Sequence, residues 1–211
     1  MESKNHEIVS SELVYKFGFL QIILNLCKSL TKNKCVFLLY TTKFKSDEDI
    51  DKNNPSFEFN FFWPREVTRK MLQEMPAALD FVKTLPKTPI TNGEVNRMVK
   101  QKFPEALDKT SKMERWHKIV TQRLLSSYGN KEYYLGISQS TVYGCYHIYL
   151  IRHDLNVKPP MVTFFQLTMP AARALLSRLP AALVAANNLQ ETCIATKLKT
   201  IPLESTTTDM V

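Results

Sequence analysis

This chain repeats part of itself, and no other feature limits its folding choices as much. Met75-Pro76-Ala77-Ala78-Leu79 matches Leu179-Pro180-Ala181-Ala182-Leu183 at a shift of 104 residues. In the same register Pro55 falls on Pro159, Phe61 on Phe165, Arg69 on Arg173, Leu72 on Leu176 and Leu85 on Leu189. Met71 with Leu175 and Trp63 with Leu167 are conservative pairs, and no gap is needed. A fixed register of proline, aromatic and arginine matches points to one structural unit built twice.

Each copy has the same local grammar. In the second, Glu132 to Ser138 and Val142 to Arg152 alternate and carry Tyr, Ile and Val, as half-buried strands do. Asn156, Lys158, Pro159 and Pro160 mark a loop, and Met161 to Leu167 reads as the next strand. Thr168 then suits an N-cap, Pro170 is tolerated in a first turn, and Ala174, Leu175, Leu179 and Leu183 recur at helical spacing. Pro180 inside that pattern is expected to kink or divide the helix.

The first copy follows suit. Lys34 to Phe44 reads as a strand, Ser46 to Pro55 as a long acidic loop, and Phe57 to Trp63 as the strand before a helix that Pro64 opens and Pro76 kinks. Leu13 to Leu30 fits either one helix or two strands turning near Gly18. Strands are preferred, because the second copy has strands in the equivalent place. Between the copies Pro86, Pro89, Asn92 and Gly93 break the chain, and Ser111 to Ser127 sets Met113, Trp116, Val120 and Leu124 on one helical face. The expected organisation is α+β: a first sheet-plus-kinked-helix unit over 8–86, a helical connector over 87–130, a second unit over 131–200 and a flexible tail over 201–211.

The 211 residues carry 28 Lys and Arg against 20 Asp and Glu, a net charge of +8. That surplus favours a polyanionic partner, either nucleic acid or an anionic membrane surface. The cysteines Cys27, Cys35, Cys145 and Cys193 are scattered without CxxC spacing, which reads as reduced thiols rather than a disulfide framework. Met1 to Glu7 is not a signal-peptide start, and the apolar run Phe17 to Leu26 is too short to span a bilayer. The expectation is an intracellular protein with no membrane partner, the nucleus favoured over the cytoplasm.

Chemistry-bearing constellations are sparse. His6, His117, His147 and His153 are not spaced as metal ligands, and Cys145 beside His147 on one side of a strand is only a weak zinc or nucleophile signal. No Walker loop, GxGxxG fingerprint or GxSxG elbow occurs, and five glycines are few for phosphate-cradling loops. The acids Asp47, Glu48, Asp49 and Asp51 read as a solvated loop. The chain is therefore expected not to be an enzyme and to need neither cofactor nor metal.

Phe165-Gln166-Leu167-Thr168 running into Leu175 to Leu183, and Phe61-Phe62-Trp63-Pro64 running into Met71 to Leu79, form a strand that ends in a triplet and enters a kinked helix. This pattern resembles the transcriptional positive-cofactor-four family and its relatives, though the family's glycine before the triplet is missing. Members of that family form dimers, and related folds present a concave sheet to single-stranded DNA or RNA. The resemblance therefore implies that the two units form an intramolecular pseudo-dimer, which would spare the entropy of association.

Alternation sorts the candidate contact residues. If Phe61, Trp63, Phe165 and Leu167 face the helices, then Asn60, Phe62, Phe164 and Gln166 face outward, and Tyr143, His147 and Tyr149 share a face. Tyr143, His147, Tyr149 and Phe164 are candidate stacking platforms, with Lys43, Lys45, Lys131, Arg152 and Lys158 as cations that follow phosphates. The matched Arg69 and Arg173 suit either a carboxylate partner or a phosphate. Lys100, Lys102, Lys109, Lys112, Arg115, Lys118 and Arg123 make the connector a candidate auxiliary basic patch. The expected function is largely sequence-independent binding of single-stranded nucleic acid, DNA favoured over RNA, in replication, recombination or transcription. Self-association beyond the paired units is a further expectation. The rival reading is a protein-interaction or assembly module, such as a viral or nuclear subunit, that uses the same sheet surface.

Overall fold

The computed structural model describes residues 6–30, 34–53, 55–88, 112–114, 117–140, 143–158 and 161–199. The first unit is a four-stranded antiparallel sheet in sequential order, β1 (His6–Phe17), β2 (Leu20–Ser29), β3 (Cys35–Lys43) and β4 (Phe57–Pro64). A short helix α1 (Asp47–Asp51) bridges β3 and β4, and helix α2 (Arg65–Thr84) leaves β4 directly. The second sheet has the sequential order β5 (Lys112–Glu114), β6 (His117–Tyr128), β7 (Lys131–Ser140), β8 (Tyr146–Asp154) and β9 (Met161–Thr168). Helix α3 (Met169–Lys199) follows β9. The protein is α+β with two sheet-plus-helix units.

The internal repeat runs further than the helices suggest. β1 to β3 match β6 to β8 strand for strand at a shift of 111 residues, so His6, Ile8, Val9, Leu13, Gly18, Leu24 and Leu39 fall on identical residues in the second unit. β4 and α2 match β9 and α3 at 104, because residues 44–56 join β3 to β4 whereas only 155–160 join β8 to β9. Both long hairpins close through two-residue turns at Gly18 and Gly129, each with positive φ (53° and 57°). Glycine takes that conformation without a Cβ penalty, and such turns match the strand twist. Register slips between Ile8 and Ser10 and between Leu13 and Tyr15 recur between Ile119 and Thr121 and between Leu124 and Ser126.

Those slips explain a correction. Ser111 to Ser127 reads as a helix, but His117–Tyr128 is a strand. Each bulge inserts one residue and flips the side-chain alternation. Two flips in twelve residues blur the period of two into something close to a helical repeat, and Leu124, placed on the helical face by spacing, is 46% exposed. The remainder of the expected connector, 89–111, lies outside the described residues, as does the tail 201–211. A second correction concerns Ser46 to Pro55, which contains α1 rather than loop alone. Ser46 caps it, accepting from the Asp49 amide at 3.2 Å, and three acids in the first turn suit its dipole. Neither Pro76 nor Pro180 divides its helix. As expected, Thr168 caps α3, accepting from the Ala171 amide at 3.4 Å.

Each helix buries its apolar stripe against both sheets and against the other helix. α2 packs on β6 and β7 as well as β4, and α3 packs on β1 and β2 as well as β9. One core results, in which Leu24, Phe37, Trp63 and Met71 share a cluster with Leu135, Ile148, Leu167 and Leu175. Edge strands β4 and β9 meet at its centre, where Phe165 lies 5.9 Å from Phe59 and 6.3 Å from Phe61, ring centre to ring centre. Ion pairs cross between the units, among them Glu74 of α2 with Arg123 of β6 (2.8 Å) and Arg178 of α3 with Glu12 of β1 (3.1 Å). The chain leaving α2 is pinned to the second sheet, since Tyr146 Oη donates to the Pro86 carbonyl at 2.6 Å and Gln139 Nε2 to that of Thr88 at 2.9 Å. Burial pushes the Tyr146 hydroxyl up to about 12. Among the described residues no helix is long and apolar enough to cross a membrane.

Candidate nucleic-acid interface

Each sheet turns one face to the shared core and the other away from it. Phe61, Trp63, Phe165 and Leu167 lie in the core, as alternation predicts, so Asn60, Phe62, Phe164 and Gln166 lie on the outer faces. Asn60 is exposed and Phe62 half-buried, with the His6 ring 5.5 Å from Phe62. On the second sheet the register aligns Tyr134, Ile151 and Phe164 in one row, and Gly136, Tyr149 and Gln166 in the next. Tyr134, Tyr149 and Ile151 form a small cluster of their own with Phe164 packed against it. Gly136 permits this, because a Cβ there would meet Ile151 Cδ1 at 3.2 Å.

This outer face is not an open row of rings. Tyr149 is only 1% exposed, with the Phe164 ring 5.7 Å away, so it forms the floor of the cluster rather than a platform. Phe164 and His147 are half-buried. Tyr143 is not on the strand at all, because β8 begins at Tyr146; it projects from the preceding turn, 82% exposed. Gly144, with φ of 65°, shapes that turn and ends the alternation read from Val142 onward. Each outer face also carries a tyrosine that donates to a glutamate, Tyr40 to Glu58 and Tyr134 to Glu132. Burial, helped by those bonds, pushes both hydroxyls up to about 12.

The cations sit at strand ends. Lys43 closes β3, Lys45 follows it, and both are exposed beside the β1–β2 turn. Lys158 is exposed in the β8–β9 loop. Arg152 departs furthest from expectation: it pairs with Tyr133 on the core side of β8, is 7% exposed and lies 6.0 Å from the Phe61 ring centre. Of the connector's basic residues, Arg123 is engaged with Glu74, and Lys100, Lys102, Lys109 and Arg115 lie outside the described residues.

Arg152 and Lys131 come together instead in a cleft of about 520 Å³ between the units. One wall is the tip of the β6–β7 hairpin, Tyr128 to Lys131, with Arg152 and Asn156 behind it. The other wall is His6, Phe62 and the end of β4. Among the described residues, none that lines it is acidic. Lys34 reaches over the rim, its Nζ donating to Tyr128 Oη at 2.6 Å and sitting 5.2 Å from the ring centre. That bond, foremost, holds the Lys34 ammonium above its usual value. Asn130 and Asn156 hydrogen-bond to each other and brace the hairpin tip.

From the sequence alone His6 is weighed only as a metal ligand, and Lys34 and Tyr128 are given no role in binding. The Gly129-Asn130 turn was the available signal for Tyr128, but the helical reading of the residues before it hid the hairpin. Among the described residues no group of three or more His, Cys, Asp or Glu is placed to hold a metal, and Cys145 is exposed in the turn before β8. No protein-family model matches the chain, and no curated protein matches it either.

Proposed function

We propose that this protein binds single-stranded nucleic acid, DNA in preference to RNA, with little sequence preference, and that its two units form an intramolecular pseudo-dimer like that of the positive-cofactor-four family. The observation that carries this reading is the inter-unit cleft, where Tyr128, Phe62 and His6 stand beside Lys131 and Arg152 and, among the described residues, none that lines it is acidic. Unstacked bases suit the aromatic walls, at about 1–3 kcal/mol per stacked base, while the cations neutralise phosphates. Duplex DNA hides its bases and offers only its backbone to such a cleft.

The two units are not equivalent as binding surfaces. At the matching positions of the first unit, Phe17, Phe19, Leu20 and Thr41 replace Tyr128, Asn130, Lys131 and Arg152. The strand is therefore anchored at the second unit's hairpin, with the half-buried Phe164 and the exposed Tyr143 as secondary contacts. The role is one of strand protection or presentation in replication, recombination or transcription, without catalysis, and the nucleus is its expected place.

One observation favours the rival protein-interaction reading. β1 is an edge strand carrying Ile8, Leu13 and Phe17, exposed at 57%, 49% and 74%. An apolar edge of that kind suits pairing with an added strand.

The test is fluorescence anisotropy of a labelled single strand of ~30 nucleotides with unlabelled duplex as competitor, titrated from low to physiological salt. Binding that survives duplex competition and weakens steeply with salt supports the proposal. No binding at low salt would remove it and leave the β1 edge as the better account.

A further inference from the structure

We propose that the inter-unit ion pairs Glu74–Arg123 and Glu12–Arg178 are a pairing code: they direct each unit to the other unit of the chain and away from its own kind. They occupy equivalent places with the charges exchanged. Glu12 and Arg123 stand at the same strand position, 111 residues apart, and Glu74 and Arg178 at the same helix position, 104 apart. The first unit thus presents an acid on its strand and an acid on its helix, and the second presents a base on each. Pairing first with second unit closes Glu74 on Arg123 at 2.8 Å and Arg178 on Glu12 at 3.1 Å.

Any assembly of first unit with first unit, in the same geometry, would set Glu12 against Glu74 twice. Second with second would set Arg123 against Arg178 twice. The strand backbones do not discriminate between these options, since β1 to β4 and β6 to β9 have the same lengths and β1 and β6 the same bulges. The charges do discriminate, because like charges in contact repel while the observed pairs attract. The Glu74 and Arg123 side chains are 19% and 32% exposed, so this pair is only partly screened by water. The occupant each surface selects is therefore the opposite unit, and a second copy of the chain is refused wherever it would pair like with like.

Two double variants of the full chain separate this from a generic effect of surface charge. Each contains one Glu→Arg and one Arg→Glu, so net charge is unchanged. E12R/R178E reverses one pair in place: every cross-unit contact stays attractive, like-with-like contacts become attractive as well, and only the linkage of the two units in one chain then favours the cross-unit pairing. E74R/R178E makes both cross-unit contacts repulsive and both like-with-like contacts attractive. E12R/R178E is expected to stay monomeric by light scattering, with a Tm close to that of the parent. E74R/R178E is expected to melt roughly 4–8 °C lower and to form dimers as concentration rises. The fourfold variant E12R/E74R/R123E/R178E restores both cross-unit attractions and is expected to recover the monomer and the Tm. Equal Tm values and monomers for both double variants would overturn the proposal. So would a fourfold variant no better than E74R/R178E, since the substitutions would then be acting on folding rather than on pairing.

Discussion

The two units share strand lengths, bulge positions and turn glycines, yet their hairpin tips carry different chemistry. In the first, Phe17, Phe19 and Leu20 are apolar; in the second, Tyr128, Asn130 and Lys131 bring hydroxyl, amide and ammonium groups to the cleft. The outer faces diverge as well. Gly136 makes room for the packed Tyr149 and Ile151, whereas the equivalent first-unit position holds Asn25, buried at 3%. Backbone architecture depends on the alternation, bulges and turns that both halves retain. Binding depends on a few side chains at strand ends, which are free to differ. The lesson is that a shared scaffold does not duplicate a site.

The strongest way to break the view that the halves form one folding unit is to damage one and watch the other. Leu175 of α3 is fully buried in the common core, so Leu175→Ala is expected to lower stability by about 2–5 kcal/mol. Urea denaturation should still give one transition, coincident by far-UV circular dichroism and tryptophan fluorescence. Two separated transitions would show that the units fold independently. Next in size are the turn glycines. A Cβ at Gly18 or Gly129 meets nothing within 4 Å, so the whole penalty is the positive φ. Gly18→Ala and Gly129→Ala should each cost about 1–2 kcal/mol, and nearly equally. A large difference between them in chemical denaturation would mean that the hairpins are not equivalent supports.

The binding comparison yields a smaller effect. Lys131→Leu gives the second hairpin the residue its counterpart already has at Leu20. Single-strand affinity should fall several-fold, with the salt slope reduced by about 1, while Lys43→Leu at the other unit should change both less. Equal losses would indicate diffuse charge rather than one anchored site.

Much of the fold was legible because it depends on local patterns. Helix periodicity, Thr168 as a cap, and strand alternation around Phe61 and Phe165 all follow from sequence neighbours, and the preference for strands over Leu13 to Leu30 agrees with β1 and β2. The β6 strand was hidden because two bulges disturb its alternation. The repeat of β1 to β3 was hidden because the β3–β4 and β8–β9 connections differ in length, which breaks the register that the helices announce. The candidate site was less legible. Alternation placed His147, Tyr149 and Phe164 on the outer face, but could not reveal that Phe164 and Tyr134 pack over Tyr149. Nor could it bring Arg152, Lys131, Phe62 and His6 together, since that cleft exists only once the units are paired.

The most direct test of the account is ultraviolet cross-linking of a ~30-nucleotide single strand to the intact protein, with the attached peptides identified by mass spectrometry. The account predicts adducts concentrated on Tyr128, Phe62 and His6 around the inter-unit cleft, and few on Phe17 or Phe19 of the first hairpin. Adducts shared equally between the two hairpins, or absent from the cleft, would contradict it.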